Sequence, residues 1–223
     1  LPVCILSDHV GLVGDDGKTH HGVLSVPMLM SIPNLTLLAP RDTRQIRQAV
    51  RATLKLDGPC VVQYPKEGIE PYAQNVTGEP FTVGKWQTLI PGGQDAVILA
   101  YGRMTQNAIQ ASELLVQRGL SVGVIDCCSL KPLDMDCLRA LFERRAKIVT
   151  IEEGEMIGGF GSEIARVCVE ENADAPVQII GLENRFITHG SVPELLRECG
   201  LMPEQLANRI EEIAGDKESS HVG

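Results

Sequence analysis

No stretch of this 223-residue sequence is rich in Lys or Arg, none holds a CxxC pair, and no apolar run approaches the roughly 18 residues of a membrane span. With a formal net charge of -9, the first absence excludes a nucleic-acid face, which needs clustered cations to meet phosphates. The second excludes a paired-thiolate metal site, and the third leaves no candidate for a spanning helix. The seven cysteines form an odd set: Cys127 and Cys128 are adjacent, while Cys137, Cys168 and Cys199 fall in apolar patterns. Free thiols and a cytoplasmic location are expected of such a set. The opening "LPVCILSD" has neither an initiator Met nor the basic flank of a signal peptide, and it reads as a buried strand of a fragment whose upstream part lies elsewhere. What is present is ordinary globular material, 43% hydrophobic and 22% charged, enough for two modest domains.

Strand and helix signals alternate along the chain. "PVCILSD", "LTLLAP" and "PCVVQYP" read as short strands. Between the last two, "RDTRQIRQAVRATLKLDG" reads as an amphipathic helix, with Asp42 and Gln45 as a capping box and Ile46, Ala49, Val50 and Leu54 as its apolar stripe. From about residue 69 to 94 the pattern dissolves into Pro, Gly and Asn around a short "FTVGKWQTLI" ribbon, which suits a linker. A second alternating unit follows. "DAVILAYG", "LSVGVID", "KIVTIEEG" and "PVQIIGL" read as strands. Helices are expected over about 105–117, over "DMDCLRALFERR", from the glycine-led "GGFGSEIARVCVEEN", and over 192–198 and 203–214. This is α/β architecture: two α/β units with mostly parallel sheets. The expected division is 1–78, a linker over 79–94, a second domain over 95–214 and a disordered tail over 215–223.

In parallel sheets the chemistry sits in loops beyond the carboxyl ends of strands, where "SDHVGLVGDDGKTHHG" falls. Its segment "GDDGKTHHG" packs three glycines, two aspartates, a lysine and two histidines into nine positions. Such glycine density disfavours any repeating element and suits a loop that comes close to something else. A solvated turn is the competing reading, and location favours function.

"SDHVGLVGDDGKTHHG", "SIPNLTLLAPRD", "YPKEG", "KPLD", "VTIEEGEMIGGFGSEI" and "GLENRFITHG" occur in this order. In order and spacing they resemble the C-terminal half of the 1-deoxy-D-xylulose-5-phosphate synthases, thiamine-diphosphate enzymes of the transketolase superfamily. The resemblance runs to about residue 214. Transketolases and the β subunits of 2-oxo-acid dehydrogenases share the two-domain plan, but "THHG" followed by "NRFITHG" leans towards the synthases. The resemblance implies part of a pyrimidine-binding domain followed by a transketolase C-terminal domain. It also implies decarboxylating carboligation of pyruvate with glyceraldehyde 3-phosphate, feeding isoprenoid, thiamine and pyridoxal precursors. Thiamine diphosphate and Mg2+ would be held mainly by parts of the protein not in this chain. The cofactor-binding residues are expected mostly upstream of Leu1, because the family's "GDG" metal segment and its activating glutamate precede the matching region. "DDGKT" lacks the asparagine spacing of that metal motif, so Asp15 and Asp16 are not read as metal ligands. The implied partners are pyruvate, an aldehyde acceptor and the N-terminal half of the enzyme, in a homodimer or, for a split gene, a heterotetramer.

By the same resemblance His20 matches a histidine near the reacting carbon, where an imidazole can move a proton, and Asp16 an aspartate that holds acceptor hydroxyls. His9 and Lys66 stand where the family usually has arginines that grip the acceptor's phosphate. A lysine is a point charge and a histidine is mostly neutral near pH 7, so weaker phosphate affinity is expected. Ser25, Met28 and Met30 stand where the family tends to have Asp, Tyr and Arg. Three readings stay open: the synthase, a relative with a different aldehyde acceptor, and a noncatalytic dimerisation module. Other features are read as structural. These are His21; Glu152 and Glu153, as dimer-contact residues; "GGFGS", as close helix–strand packing; His189, as a cap or interface residue; and Met28 with Met30, as core filling.

Overall fold

The computed structural model describes residues 1–67 and 81–215. The expected tail therefore lies outside the described residues from 216 onward, as does the middle of the stretch between the two units. The first unit holds β1 (Cys4–Ser7), a 3-10 segment (Gly14–Thr19), α1 (Ser25–Met30), β2 (Thr36–Leu38), α2 (Thr43–Thr53) and β3 (Cys60–Gln63). The second holds β4 (Gln87–Ile90), β5 (Ala96–Ala100), α3 (Met104–Gln117), β6 (Val122–Asp126), β7 (Ser129–Lys131) and α4 (Met135–Glu143). It continues through β8 (Ile148–Glu155), α5 (Phe160–Glu170), β9 (Val177–Leu182), α6 (Val192–Glu198) and α7 (Pro203–Gly215).

Two sheets result, with strand orders β1-β3-β2-β7 and β4-β6-β5-β8-β9. The neighbours β1, β3 and β2 run parallel, as do β6, β5, β8 and β9. Only the edge strands β7 and β4 pair antiparallel. The mostly parallel α/β architecture is the one expected. β5, β6 and β8 are buried along their whole length, which is why β5, most of β6 and the first half of β8 read as apolar runs rather than alternating ones. One apolar core joins α3, α6 and α7 to the second sheet, with Ile98, Ala108, Leu195 and Ile210 among its members. Another runs across both units, bringing Leu37 and Val61 of the first together with Leu99, Phe160 and Ile164 of the second.

Several local readings are corrected by this packing. The opening segment was expected to be a buried strand, but Leu1 is 98% exposed, and β1 lies at a sheet edge that leaves Ile5 and Leu6 54% and 52% exposed. Asp42 does cap α2, its Oδ1 accepting the Gln45 N–H at 2.8 Å, but the Gln45 carboxamide oxygen takes the Arg41 N–H at 2.7 Å instead of closing the box on Asp42. The inner face of α2 is Gln45, Ala49 and Thr53, and Leu54 is 82% exposed. Met28 does not fill the core, being 67% exposed on α1, whereas Met30 packs against the shared core. Within the stretch read as a linker, Gln87–Ile90 form β4 of the second sheet. β7, from the second half of the sequence, crosses to pair with β2 of the first sheet.

The two units are locked at residues 39–42. Ala39 N–H donates to the Cys128 carbonyl at 2.9 Å, and the Ala39 carbonyl accepts from Gly102 N–H at 3.3 Å. Beside them Asp126, fully buried at the end of β6, pairs with Arg41 and accepts from Gln45 Nε2 at 2.7 Å. Arg41 also donates to Gln87 Oε1 at 2.8 Å. Burial pushes the Asp126 carboxyl up, while Arg41 and Gln45 pull it back. Asp126→Ala should lower the unfolding free energy by about 2–4 kcal/mol, because the buried Arg41 loses its nearest carboxylate and keeps only Asp42, at 3.5 Å. Urea titration checks this, and a loss below about 1 kcal/mol would mean that water reaches Arg41 freely.

Candidate functional site

The loop after β1 is a closed structure rather than a solvated turn. Gly22 N–H donates to the Gly11 carbonyl at 2.9 Å, and residues 10 and 11 both bridge to Gly22. A Cβ at Gly22 would lie 2.1 Å from the His9 carbonyl oxygen, so only glycine permits this crossing. Gly11, at φ +74°, sits with its Cα hydrogen towards Glu153, whose Cδ would be 2.6 Å from a Cβ there. Between these points Leu12 plugs into the core of the second unit. The glycine-rich segment then turns as 3-10 structure with a kink at Gly17.

This folding brings the four expected site residues to one open surface. Asp16, on the 3-10 segment, forms an ion pair with Lys66, which lies 50 positions away in the loop after β3. The Lys66 hydrogen bond holds the Asp16 carboxyl below its usual range, and the Asp16 bond holds the Lys66 ammonium above its own. His9, in the left-handed backbone region at φ +58°, places its ring centroid 6.4 Å from that of His20. Its Nδ1 lies 3.1 Å from Asp8 Oδ1. His20 is exposed; its Nδ1 shares a 3.0 Å hydrogen bond with Thr19 Oγ1, and its Nε2 has no hydrogen-bond partner among the described residues. A histidine with one nitrogen tethered and the other open can move a proton to or from a neighbouring group. Leu1, the position that bounds the expected cofactor-binding residues, stands ahead of β1 and brings only an apolar side chain, so it is not itself a member of this polar set.

The adjacent His21 is employed differently. Its Nδ1 accepts from Val13 N–H at 3.0 Å, so its proton lies on Nε2, which donates to the Thr188 carbonyl at 3.0 Å. His21 therefore ties the loop to the second unit, which suits its structural reading. His189 is exposed and packs its Cβ over Gly17. Met28 and Ser25 lie on α1; the Ser25 hydroxyl donates to the Gly22 carbonyl at 2.7 Å.

The glycine-led N-terminus of α5 is already filled by the chain itself. The two oxygens of the buried Glu152 accept from Phe160 N–H and Gly161 N–H, each at 2.9 Å. A Cβ at Gly159 would lie 2.5 Å from Glu152 Oε2, so no phosphate fits there. Glu153, next along β8, accepts from Leu12 N–H at 2.8 Å and lies 3.3 Å from Arg103 Nη1. Sequence reasoning missed Arg103. Its one trace was an arginine directly after Gly102 at the end of a strand.

Family models of known proteins match nearly the whole chain: "Transketolase, pyrimidine binding domain" over residues 1–70 and "Transketolase, C-terminal domain" over 84–206. Among curated relatives, the 1-deoxy-D-xylulose-5-phosphate synthase of Thermus thermophilus is 38% identical over 94% of this chain and 33% of its own length. That of Chlorobium phaeovibrioides is 39% identical over 98% of this chain and 34% of its own length. The chain thus spans about a third of the curated relatives it matches. Among solved structures, a split-gene transketolase described as an inactive beta4 tetramer superposes with a TM-score of 0.84 at 28% identity, covering 97% of this chain and 68% of that one. A transketolase of Pichia stipitis superposes with a TM-score of 0.75 at 18% identity, over 96% of this chain and 30% of that one, a likeness of fold.

The two buried glutamates give the fold a pH dependence. Burial pushes Glu152 from an ordinary 4.5 up to about 8, against the pull of its two N–H donors. It pushes Glu153 up to about 7, against the pull of Arg103. Both pKa values are raised on folding, so this contribution is fully present below about 4.5 and is lost as pH rises through 7 and 8. Urea unfolding should therefore show stability falling between about pH 5 and pH 8, and Glu152→Gln with Glu153→Gln should flatten that slope. A parent profile that is already flat would mean that the N–H and Arg103 contacts fully offset burial.

Proposed function

Because the chain belongs to the transketolase family, we propose that it forms part of a thiamine-diphosphate-dependent carboligase that joins pyruvate, with loss of carbon dioxide, to an aldehyde acceptor. With glyceraldehyde 3-phosphate as acceptor the product is 1-deoxy-D-xylulose 5-phosphate. The observation that carries this reading is the meeting of Asp16 and Lys66 beside His9 and His20, from separate loops, on one open surface. Identity of 38–39% to named synthases supports the same choice of reaction.

Thiamine diphosphate, when bound, supplies the electron sink that decarboxylation needs. The donor set of this chain does not suit the diphosphate end of that cofactor. The N-terminus of α5 is occupied by Glu152, and among the described residues no group of three or more His, Cys, Asp or Glu is placed to hold a metal ion. As the curated relatives are about three times as long as this chain, we assign the diphosphate and its Mg2+ to another part of the enzyme, in the same polypeptide or in a partner chain. No step of the cofactor's chemistry is assigned to residues 1–223.

What these residues do is receive the acceptor. Asp16, held as a carboxylate, accepts hydrogen bonds from acceptor hydroxyls. His20, through its open Nε2, exchanges a proton at the acceptor oxygen. Lys66 and His9 face the acceptor's far end. A phosphate there would compete with Asp16 for the Lys66 ammonium and with Asp8 for His9. That competition favours a second reading, a relative whose acceptor aldehyde carries no phosphate. The split-gene transketolase is described as a tetramer of one chain type without activity. Self-association of this chain apart from its N-terminal half is the matching proposal, with a homodimer or heterotetramer as the active form.

In the active assembly His20→Ala should reduce carboligation about 100-fold or more with thiamine-diphosphate affinity unchanged, whereas a loss below about threefold would remove His20 from proton transfer. Isothermal titration of the chain alone with thiamine diphosphate and Mg2+ should be silent, and micromolar binding would contradict the division of labour proposed here.

A further inference from the structure

Besides the His21–Thr188 bond and the Leu12 plug, the second unit supports the candidate site through one buried ion pair. Arg103 stands at the N-cap of α3, directly after Gly102, whose N–H is bonded to the first unit at the Ala39 carbonyl. Its guanidinium reaches both walls of the site. Nη2 lies 3.5 Å from Glu67 Oε2, one residue past Lys66. Nη1 lies 3.3 Å from Glu153 Oε1, the oxygen that also accepts the Leu12 N–H in the loop carrying His9, Asp16 and His20. The Arg103 side chain is 12% exposed and that of Glu153 8% exposed, so this pair works with little solvent screening.

The pair is not saturated. Arg103 Nη1 meets Glu153 as an ion contact without an aligned hydrogen bond, and it has no hydrogen-bond partner among the described residues. Both polar atoms of the buried Gln63, in the strand that leads into the Lys66 loop, are likewise unpartnered. Gln63, Arg103 and Glu153 line one small cavity of about 20 Å3 together with Val10 and Gly102. Unmet donors and acceptors around a cavity large enough for about one water give these side chains room to shift. A network of this kind serves as an adjustable spacer better than as a source of stability.

We propose that Arg103 and Glu153 are positioning residues for the acceptor site: they set the separation between the wall bearing Asp16 and His20 and the wall bearing Lys66. This rests on the carboligase reading for its kinetic consequences and on geometry alone for its structural ones. Glu153 clamps the backbone at Gly11–Leu12, where any side chain at Gly11 would collide with it. Arg103 joins that clamp to the residue following Lys66. The titratable groups that face the pair are Glu67 on the β3 loop, the Tyr101 hydroxyl at the end of β5 and the Cys199 thiol at the end of α6, the last two held neutral by burial. Among these Arg103 is the cation that both Glu67 and Glu153 face.

The test uses Glu153→Gln, Arg103→Met and the double variant in the assembly with the N-terminal half. Each single variant should raise KM for the aldehyde acceptor about tenfold with kcat within about twofold of the parent and thiamine-diphosphate affinity unchanged. The double variant removes both buried charges. It should recover thermal stability relative to the single variants while KM stays raised. Recovery of KM together with stability, or parent-like KM in all three, would overturn the proposal, since the pair would then be structural only. A second readout needs no catalysis. In the chain alone, the imidazole NMR signals of His9 and His20 should move in Glu153→Gln and return in part in Glu153→Asp. Unmoved signals would overturn the positioning role even if the variants lose activity. An assembly of parent chains that catalyses no carboligation would refute the functional reading and leave this NMR result to decide the positioning role.

Discussion

A carboxylate without solvent is tolerable only where cations and N–H donors replace the water it has lost, and Asp126 meets that condition across the boundary between the two units. Its partners Arg41 and Gln45 belong to the start of α2, while Asp126 itself closes β6. The short run 39–42 is therefore pinned from two sides, by Asp126 and by the backbone bonds to Cys128 and Gly102. From this fixed seam β7 crosses to extend the first sheet, and the shared core of Leu37, Val61, Leu99 and Phe160 closes beneath it. The first unit, with three parallel strands of its own, is held as much by its neighbour as by itself.

The candidate site inherits that arrangement. By sequence its loop belongs to the first unit, yet Leu12 sits in the core of the second, Leu12 N–H is bonded to Glu153, and His21 bridges to Thr188. The exposed groups that could meet a substrate, Asp16, His20 and Lys66, are thus mounted on a backbone whose buried side is fixed by another sheet. Chemistry and support are divided between adjacent residues: His20 faces outward and His21 inward, and of the glutamate pair Glu152 fills a helix N-terminus while Glu153 clamps the loop.

Much of the fold was legible because its strands and helices carry strong local signals. The all-buried strands β5 and β6 and the first half of β8 read as apolar runs, and Asp42 announces α2 by its capping geometry. The exceptions share a cause. β7 has three residues, and its pairing with β2 is decided by the seam at 39–42 rather than by its own pattern. α1 is six residues long, has no side-chain N-cap bond and contains Pro27, so nothing in "SVPMLM" calls for a helix apart from its surroundings. The exposure of Leu1, Ile5, Leu54 and Met28 depends on which sheet edge or helix face is left uncovered, which periodicity does not carry. At the site, the proximity of Asp16 to Lys66 was reached through family resemblance, since a separation of 50 positions gives no spacing rule. Arg103 was not reached, because one arginine after a glycine has no pattern to set it apart.

The central claim is that this chain supplies the acceptor wall of a carboligase whose cofactor is held by another part of the protein. The most direct measurement follows carbon through the reaction. Pyruvate labelled with 13C at its keto carbon is incubated with the assembled protein, thiamine diphosphate, Mg2+ and either glyceraldehyde 3-phosphate or unphosphorylated glyceraldehyde, and products are read by NMR. The account predicts that label enters a 1-deoxyketose only when an aldehyde is supplied, and that removing this chain abolishes the transfer. Pyruvate decarboxylation that proceeds equally with or without this chain, with no label in any ketose from either aldehyde, would contradict it.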